Sequence, residues 1–147
     1  MFVDALLLVS DAQAITVTAV STNTIDLGAG TIARRIGSGE AMGFAVQIDV
    51  AGDRTTLDET YQIDIISSAD PALGTPTVLA SFLLASTDLT IGKKFALPLP
   101  KGRPAQRYIG LRYTVAGTTP TITVTAALMP MSMIDAENTM YAKGYSI

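Results

Sequence analysis

The chain has 147 residues, enough for one domain with its own core, and is 48% apolar but only 16% charged, where an average soluble protein carries roughly 25% charge. It holds no cysteine and no histidine, which excludes disulfides, thiolate metal sites and cysteine nucleophiles and removes the commonest general base and transition-metal ligand. A net charge of −3 and a pI near 4.7 argue against nucleic-acid binding, which draws on a basic excess.

The start, Met1-Phe2-Val3-Asp4-Ala5-Leu6-Leu7-Leu8-Val9-Ser10, is apolar but has an acid where a signal peptide carries lysine or arginine, and Asp11 breaks it off. It reads as no export signal, so synthesis and retention in a cytosol are expected. No apolar run reaches the roughly 20 residues of a membrane span. Ile15, Val17 and Ala19 then alternate with Thr16 and Thr18, the period of a half-buried strand. Threonine, at 19 residues, supports the same class, because β-branched side chains suit the pleated sheet.

The alternation returns along the chain. Phe44, Val46, Ile48 and Val50 face one way, with Ala45, Gln47 and Asp49 opposite. Tyr61, Ile63 and Ile65 alternate with Gln62 and Asp64. The run 78–85 is apolar almost throughout, the pattern of a strand covered on both faces. Phe95, Leu97 and Leu99 alternate with Lys94, Ala96 and Pro98; the two prolines, Pro98 and Pro100, predict an edge position or an early end. Ile109, Leu111, Tyr113 and Val115 form one more stripe, and Ile122, Val124, Ala126 and Leu128 the last. Turn residues punctuate these runs at Ser21-Thr22-Asn23, Gly28-Ala29-Gly30, Gly37-Ser38-Gly39, Ala51-Gly52-Asp53, Asp70-Pro71, Gly74-Thr75-Pro76 and Gly117-Thr118-Thr119-Pro120. Seven or eight short strands so divided predict an all-β, single-domain antiparallel β-sandwich or jelly roll over residues 1–147. Its arms are expected at 1–13 and 129–147, and its core at Phe44, Val46, Ile48, Ile63, Ile65, Leu111, Tyr113, Ile122 and Val124.

Chemistry-bearing constellations are sparse. Gly28-Ala29-Gly30-Thr31-Ile32-Ala33, with Asp49 further on, fits the loose dinucleotide fingerprint. That motif works only at a strand-to-helix junction, and Gly37-Ser38-Gly39 leaves no room for the helix. Asp49, Asp53, Asp58, Glu59 and Asp64 read as solvated strand faces and a charged hairpin tip; an incidental cation or a glycosidase-type carboxylate pair are lesser readings. Half of the ten basic residues fall at Lys93, Lys94, Lys101, Arg103 and Arg107, a stretch that would either dock an acidic partner surface or protect a solvated edge. Met129, Met131, Met133 and Met140 crowd the end beside Tyr141 and Tyr145. Both ends are more apolar than free termini can be. The expected interface residues are therefore Phe2, Leu6, Leu7 and Leu8 at one end and Met131, Met133, Met140, Tyr141 and Tyr145 at the other; the competing reading packs both ends on their own domain and puts the contact surface in the loops.

The same two ends carry a family resemblance. Asp4-Ala5-Leu6-Leu7-Leu8-Val9-Ser10-Asp11-Ala12-Gln13-Ala14, followed by Ser21-Thr22-Asn23-Thr24-Ile25-Asp26-Leu27-Gly28, resembles the start of the capsid cement (decoration) proteins of short-tailed bacteriophages. Arg107-Tyr108-Ile109-Gly110-Leu111-Arg112-Tyr113-Thr114-Val115 and Gly144-Tyr145-Ser146-Ile147 are similar to that family too. The resemblance implies a jelly-roll-like structural virion protein on the outer capsid surface, made in the host cytoplasm. It would bridge neighbouring capsomers and stabilise the mature shell. Its partners would be the major capsid protein and its own copies, as a dimer rather than a trimer. The resemblance carries no catalytic residues, no cofactor and no metal, and implies no membrane, nucleic-acid or small-molecule partner. The alternative is a β-sandwich virion module that binds a carbohydrate or a receptor.

Overall fold

The computed structural model describes residues 4–29, 39–101 and 106–134. Among the described residues nine strands follow one another: β1 (Leu8–Ile15), β2 (Ala19–Val20), β3 (Ile25–Asp26), β4 (Met42–Val50), β5 (Thr60–Ser68), β6 (Thr77–Leu83), β7 (Lys94–Pro98), β8 (Tyr108–Ala116) and β9 (Ile122–Pro130). A single 3-10 turn, Ser86–Asp88, lies between β6 and β7, and the backbone turns helical at 131–134.

The strands form two antiparallel sheets. One has the order β1-β9-β4-β7; in the other β2 and β3 share β8, which continues to β5 and β6. Counting β2 and β3 as one interrupted strand, the first pairs with the last (β1·β9), the second with the next to last (β2 and β3 with β8), and β4·β7 and β5·β6 nest inside. This nested pairing rolls one long antiparallel ribbon into a sandwich, and it is the jelly-roll topology. The all-β sandwich read from the sequence is the fold observed.

The stripes meet between the sheets. Phe44, Val46 and Ile48 of β4 and Ile122 and Val124 of β9 face Ile63, Ile65, Leu111 and Tyr113 of the other sheet, and all are buried in one cluster. The hydroxyls of Ser10 and Tyr113 also meet across the sheets, 2.8 Å apart and buried. The pair satisfies a polar group that would otherwise be costly in the core. Burial holds the Tyr113 phenol far above the usual range, and the Ser10 bond offsets that only in part.

Four strand expectations need correction. Val17 was expected beside Ile15 on the core face, but β1 ends at Ile15 and Val17 is exposed on the bend that follows. Val50 was expected inward with Ile48. A register shift between the two, a bulge, turns it outward. Residues 8–13 of the expected N-terminal arm are strand β1, and 129–130 complete β9. The run 78–85 is not covered on both faces: β6 is an edge strand with Ser81 and Leu83 exposed.

Outside the main core, a second apolar cluster lies on the outer face of the β1-β9-β4-β7 sheet. Ala45, Ala127 and Met129 carry Ile134, with Leu8, Ala96 and Met131 around them. The chain leaves β9, turns helical and lays its own side chains back on the sheet. Gly43 makes this fit possible. A Cβ there would press on the Met131 sulfur and come within 2.8 Å of the Leu97 carbonyl oxygen, a backbone atom that cannot swing aside. Gly43→Ala is therefore expected to cost about 1–3 kcal/mol, read as a lower denaturant midpoint with an unchanged slope.

Candidate functional site

Jelly-roll winding gathers the connections at two poles. The loops 16–18, 51–59, 84–93 and 117–121 lie at one pole; the opposite pole holds the start of β1, the end of β9 and the remaining connections. Seven large apolar side chains are exposed among the described residues: Leu6, Val17, Val50, Leu57, Leu83, Ile91 and Met133. Every one is at a pole. Val17, Val50, Leu57, Leu83 and Ile91 belong to the four-loop pole, and Leu6 and Met133 to the other.

The four-loop pole is tied together from within. The Gly52 amide donates to the Leu89 carbonyl at 3.0 Å and the Asp53 amide to the Thr121 carbonyl at 2.8 Å. The Tyr61 hydroxyl, at the head of β5, donates to the Asp53 carbonyl at 2.7 Å and accepts from the Thr121 amide at 3.2 Å. Burial raises the Tyr61 phenol above its ordinary value, so it remains a neutral clasp at any physiological pH. The Val115 amide donates to the Thr18 hydroxyl at 3.3 Å, which joins the fourth loop.

Three of the acidic residues noted in the sequence, Asp53, Asp58 and Glu59, are absorbed into this framework; Asp64, expected on a solvated face, is instead fully covered on β5 because Arg112 of β8 pairs with it. Asp53 accepts from the Thr55 hydroxyl and amide, and those bonds hold its carboxyl below the usual range. Thr56 bridges Asp58 and Glu59, and Thr118 adds a hydroxyl and an amide to Asp58. Both carboxyls are lowered, in each case chiefly by the Thr56 hydroxyl. Asp49 accepts from Thr125 and Gln47. These contacts rigidify turns, in the manner of Asx and Ser/Thr motifs. Among the described residues no group of three or more acidic, histidine or cysteine side chains is placed to hold a metal ion.

Leu57 stands out on that framework. Its φ is +64°, a left-handed conformation that glycine or asparagine adopts at lower cost. Yet the position is a leucine, with 73% of its surface in water. An apolar side chain kept in a strained backbone and exposed is an outlier of the kind that collects at contact sites.

The interface residues expected at the termini divide into three groups. Leu7 packs on the main core, and Leu8 and Met131 on the outer cluster, all half-buried against their own domain. Leu6 and Met133 are exposed. Phe2, Met140, Tyr141 and Tyr145 lie outside the described residues. The basic stretch is not one patch. Lys93 sits at the four-loop pole, paired with Asp88 at 3.2 Å. Lys94 opens β7, and Lys101 and Arg107 lie at the opposite pole beyond it, about 17 Å away at strand spacing. Arg107 is bonded through two nitrogens to Asp26, each at 2.8 Å, and stacks over Tyr108. Arg103 lies outside the described residues.

The Bbp16 family model matches residues 9–129, from β1 almost to the end of β9. The chain belongs to the Bbp16 family. No curated protein matches it. The matched span is the sandwich with its four-loop pole, and it stops short of Leu6 and Met133. The Bbp16 match and the jelly-roll pairing thus cover the same residues.

Sequence reasoning missed the four-loop pole. Val17 and Val50 continue alternating stripes and therefore read as core. Leu57 and Ile91 did carry a signal, since each is a large aliphatic between turn residues, Thr56 and Asp58 in one case and Thr90 and Gly92 in the other.

Proposed function

We propose that this protein is a capsid cement (decoration) protein: it binds the outer surface of a phage capsid, bridges neighbouring capsomers and stabilises the mature shell. The observation that carries this reading is the bipolar placement of the exposed large apolar side chains, at both poles of a rigid sandwich. A bridge needs two adhesive ends and a stiff body between them. The resemblance of the chain to phage cement proteins supports the same reading, and a composition without histidine or cysteine leaves few residues for acid–base or thiol chemistry. The four-loop pole provides the principal contact, and Leu6 and Met133 at the other pole the second. Each contact is modest; repetition across a lattice supplies the avidity. In this reading the protein is not an enzyme and needs no cofactor, and its copies act as a small homo-oligomer on the virion surface.

The apolar pole gives a direct test. Leu57→Asn combined with Ile91→Asn removes two exposed aliphatics while placing at 57 a residue that tolerates positive φ. Co-sedimentation with expanded capsids is expected to fall at least about tenfold in affinity, since each buried aliphatic is worth about 1.5–3 kcal/mol at a dry interface. The melting temperature is expected to stay within a few degrees of the parent. Unchanged capsid binding by the well-folded double variant would remove the pole from the proposal.

A further inference from the structure

Three carboxylates of the domain face a cation: Asp64 has Arg112, Asp26 has Arg107 and Asp88 has Lys93. Asp58 and Glu59 are adjacent in the chain, and among the described residues no lysine or arginine pairs with either. Both carboxylates lie against the same hydroxyl, since Thr56 Oγ1 is within hydrogen-bond distance of Asp58 Oδ1 and of Glu59 Oε1. A hydroxyl has one proton to give, so one of these two oxygen–oxygen contacts has no hydrogen between its partners. Two like charges held this close without a counter-charge are costly.

A second observation concerns the other oxygen of Glu59. The residue is only 8% exposed, and its Oε2 is buried with no hydrogen-bond partner. Glu59 Oε1 accepts from the Thr56 amide at 3.2 Å and lies at the shared hydroxyl. The carboxylate is therefore turned into this knot of oxygens, and Oε2 is the one left unanswered. A buried carboxylate oxygen without a donor or a cation carries the full cost of its lost water. The backbone beneath it has no room to shift, because a Cβ at Gly117 would lie 2.7 Å from both the Glu59 Cα and the Asp58 carbonyl oxygen. A hard cation answers all of these oxygens at once.

We propose that Thr56, Asp58 and Glu59 form a calcium site. Glu59 binds through the carboxylate that carries the unanswered Oε2, Asp58 through Oδ1 and Thr56 through its hydroxyl. Water completes the shell on the side of Asp58, which is exposed. Calcium accepts an irregular set of oxygens that includes a bidentate carboxylate, whereas magnesium demands a near-octahedral one. Two carboxylates, fewer than a cluster of three acidic side chains, are a small charge count and place the site in the weak class, with a Kd of about 10⁻⁴–10⁻³ M. The ion also pins Leu57, which lies between two of its ligands. The site is independent of capsid binding and is tested without capsids.

The full chain, stripped with EDTA, is melted with calcium chloride or with magnesium chloride. Calcium at about 10 mM is expected to raise the Tm by about 5 °C, saturating as a Kd in that range requires. Magnesium at the same concentration is expected to give less than about half of that rise. Glu59→Gln keeps an oxygen for Thr56 and removes one charge. It is expected to abolish the calcium response while melting no lower than the stripped parent, whereas loss of a merely structural glutamate would lower the Tm. Asp58→Asn, on the exposed side, is expected to weaken calcium binding at least about tenfold, and it carries the test if Glu59→Gln fails to fold. A parent that melts alike with and without calcium, or responds equally to magnesium, overturns the proposal. So does a calcium affinity unchanged in Asp58→Asn, the mark of an adventitious ion only.

Discussion

Replacing Arg112 with methionine is expected to destabilise the domain by about 3 kcal/mol, the low end of the cost of breaking a buried ion pair. Asp64 sits on β5 directly opposite Arg112 on β8. It alternates away from the core residues Ile63 and Ile65, yet its side chain is fully covered. Arg112 donates to Asp64 Oδ2 through Nη2 at 2.6 Å and Nε at 3.0 Å, and Gln62 donates to Oδ1 at 2.7 Å. Burial on its own would raise the Asp64 carboxyl, but hydrogen bonds from Ser81, Arg112 and Gln62 outweigh it, and the net shift is downward. Removing Arg112 leaves a buried carboxylate with two neutral donors, and that is the origin of the cost.

The same geometry fixes a pH dependence. A carboxyl lowered in the folded state contributes stability that is present above its unfolded value, about 3.9, and is lost as pH falls through the lower folded value. The parent is therefore expected to lose stability below about pH 4. In Arg112→Met the Asp64 carboxyl loses the Arg112 bonds and charge that lower it and moves up from its parent value, so protonation costs the native state less. The gap between parent and variant should narrow as pH falls. Denaturant melts at pH 7 and pH 3 measure both, and a gap that is constant with pH would show that Arg112 acts through packing and not through Asp64.

Phe44→Ala is expected to be the most damaging single change, at about 3–5 kcal/mol. Phe44 lies on β4, one of the two central strands of its sheet, with β9 on one side and β7 on the other. It is fully buried among the large core side chains. Truncation leaves a cavity that flanking strands cannot close, because both of their ladders are anchored on β4 itself. In a domain of this size, whose whole stability is of the order of 5–15 kcal/mol, the loss is a large share of the total. Thermal unfolding should show it as a fall in the melting temperature with native-like circular dichroism below the transition. A drop under about 1 kcal/mol would mean that the two sheets close over the gap.

The sandwich was legible because strand physics is local. A period of two, sustained by Phe44 through Ile48 and by Ile122 through Leu128, holds wherever one face is buried. Pro98 and Pro100 likewise pointed to β7 at an edge. What failed was non-local. The bulge that turns Val50 outward depends on how β4 registers against β9, and no residue in β4 announces it. β6 has the composition of an interior strand, and only the winding of the chain puts it at a rim. The site was less legible still, because a pole is assembled from four loops far apart in sequence. The apolar termini drew attention instead, although Leu8 and Met131 are occupied on their own sheet. Leu57 and Ile91 were visible as aliphatics in turns, but nothing in a linear reading gathers them at one pole.

The most direct measurement is a reconstruction by electron cryo-microscopy of expanded capsids incubated with the protein, beside unexpanded ones treated alike. The account predicts added density on the outer surface of the expanded shell, each sandwich standing between neighbouring capsomers with the Leu57 and Ile91 pole against the capsid. Expanded shells without added density, or density in which the sandwich touches the capsid by its sheet faces and leaves both poles in solvent, would contradict it.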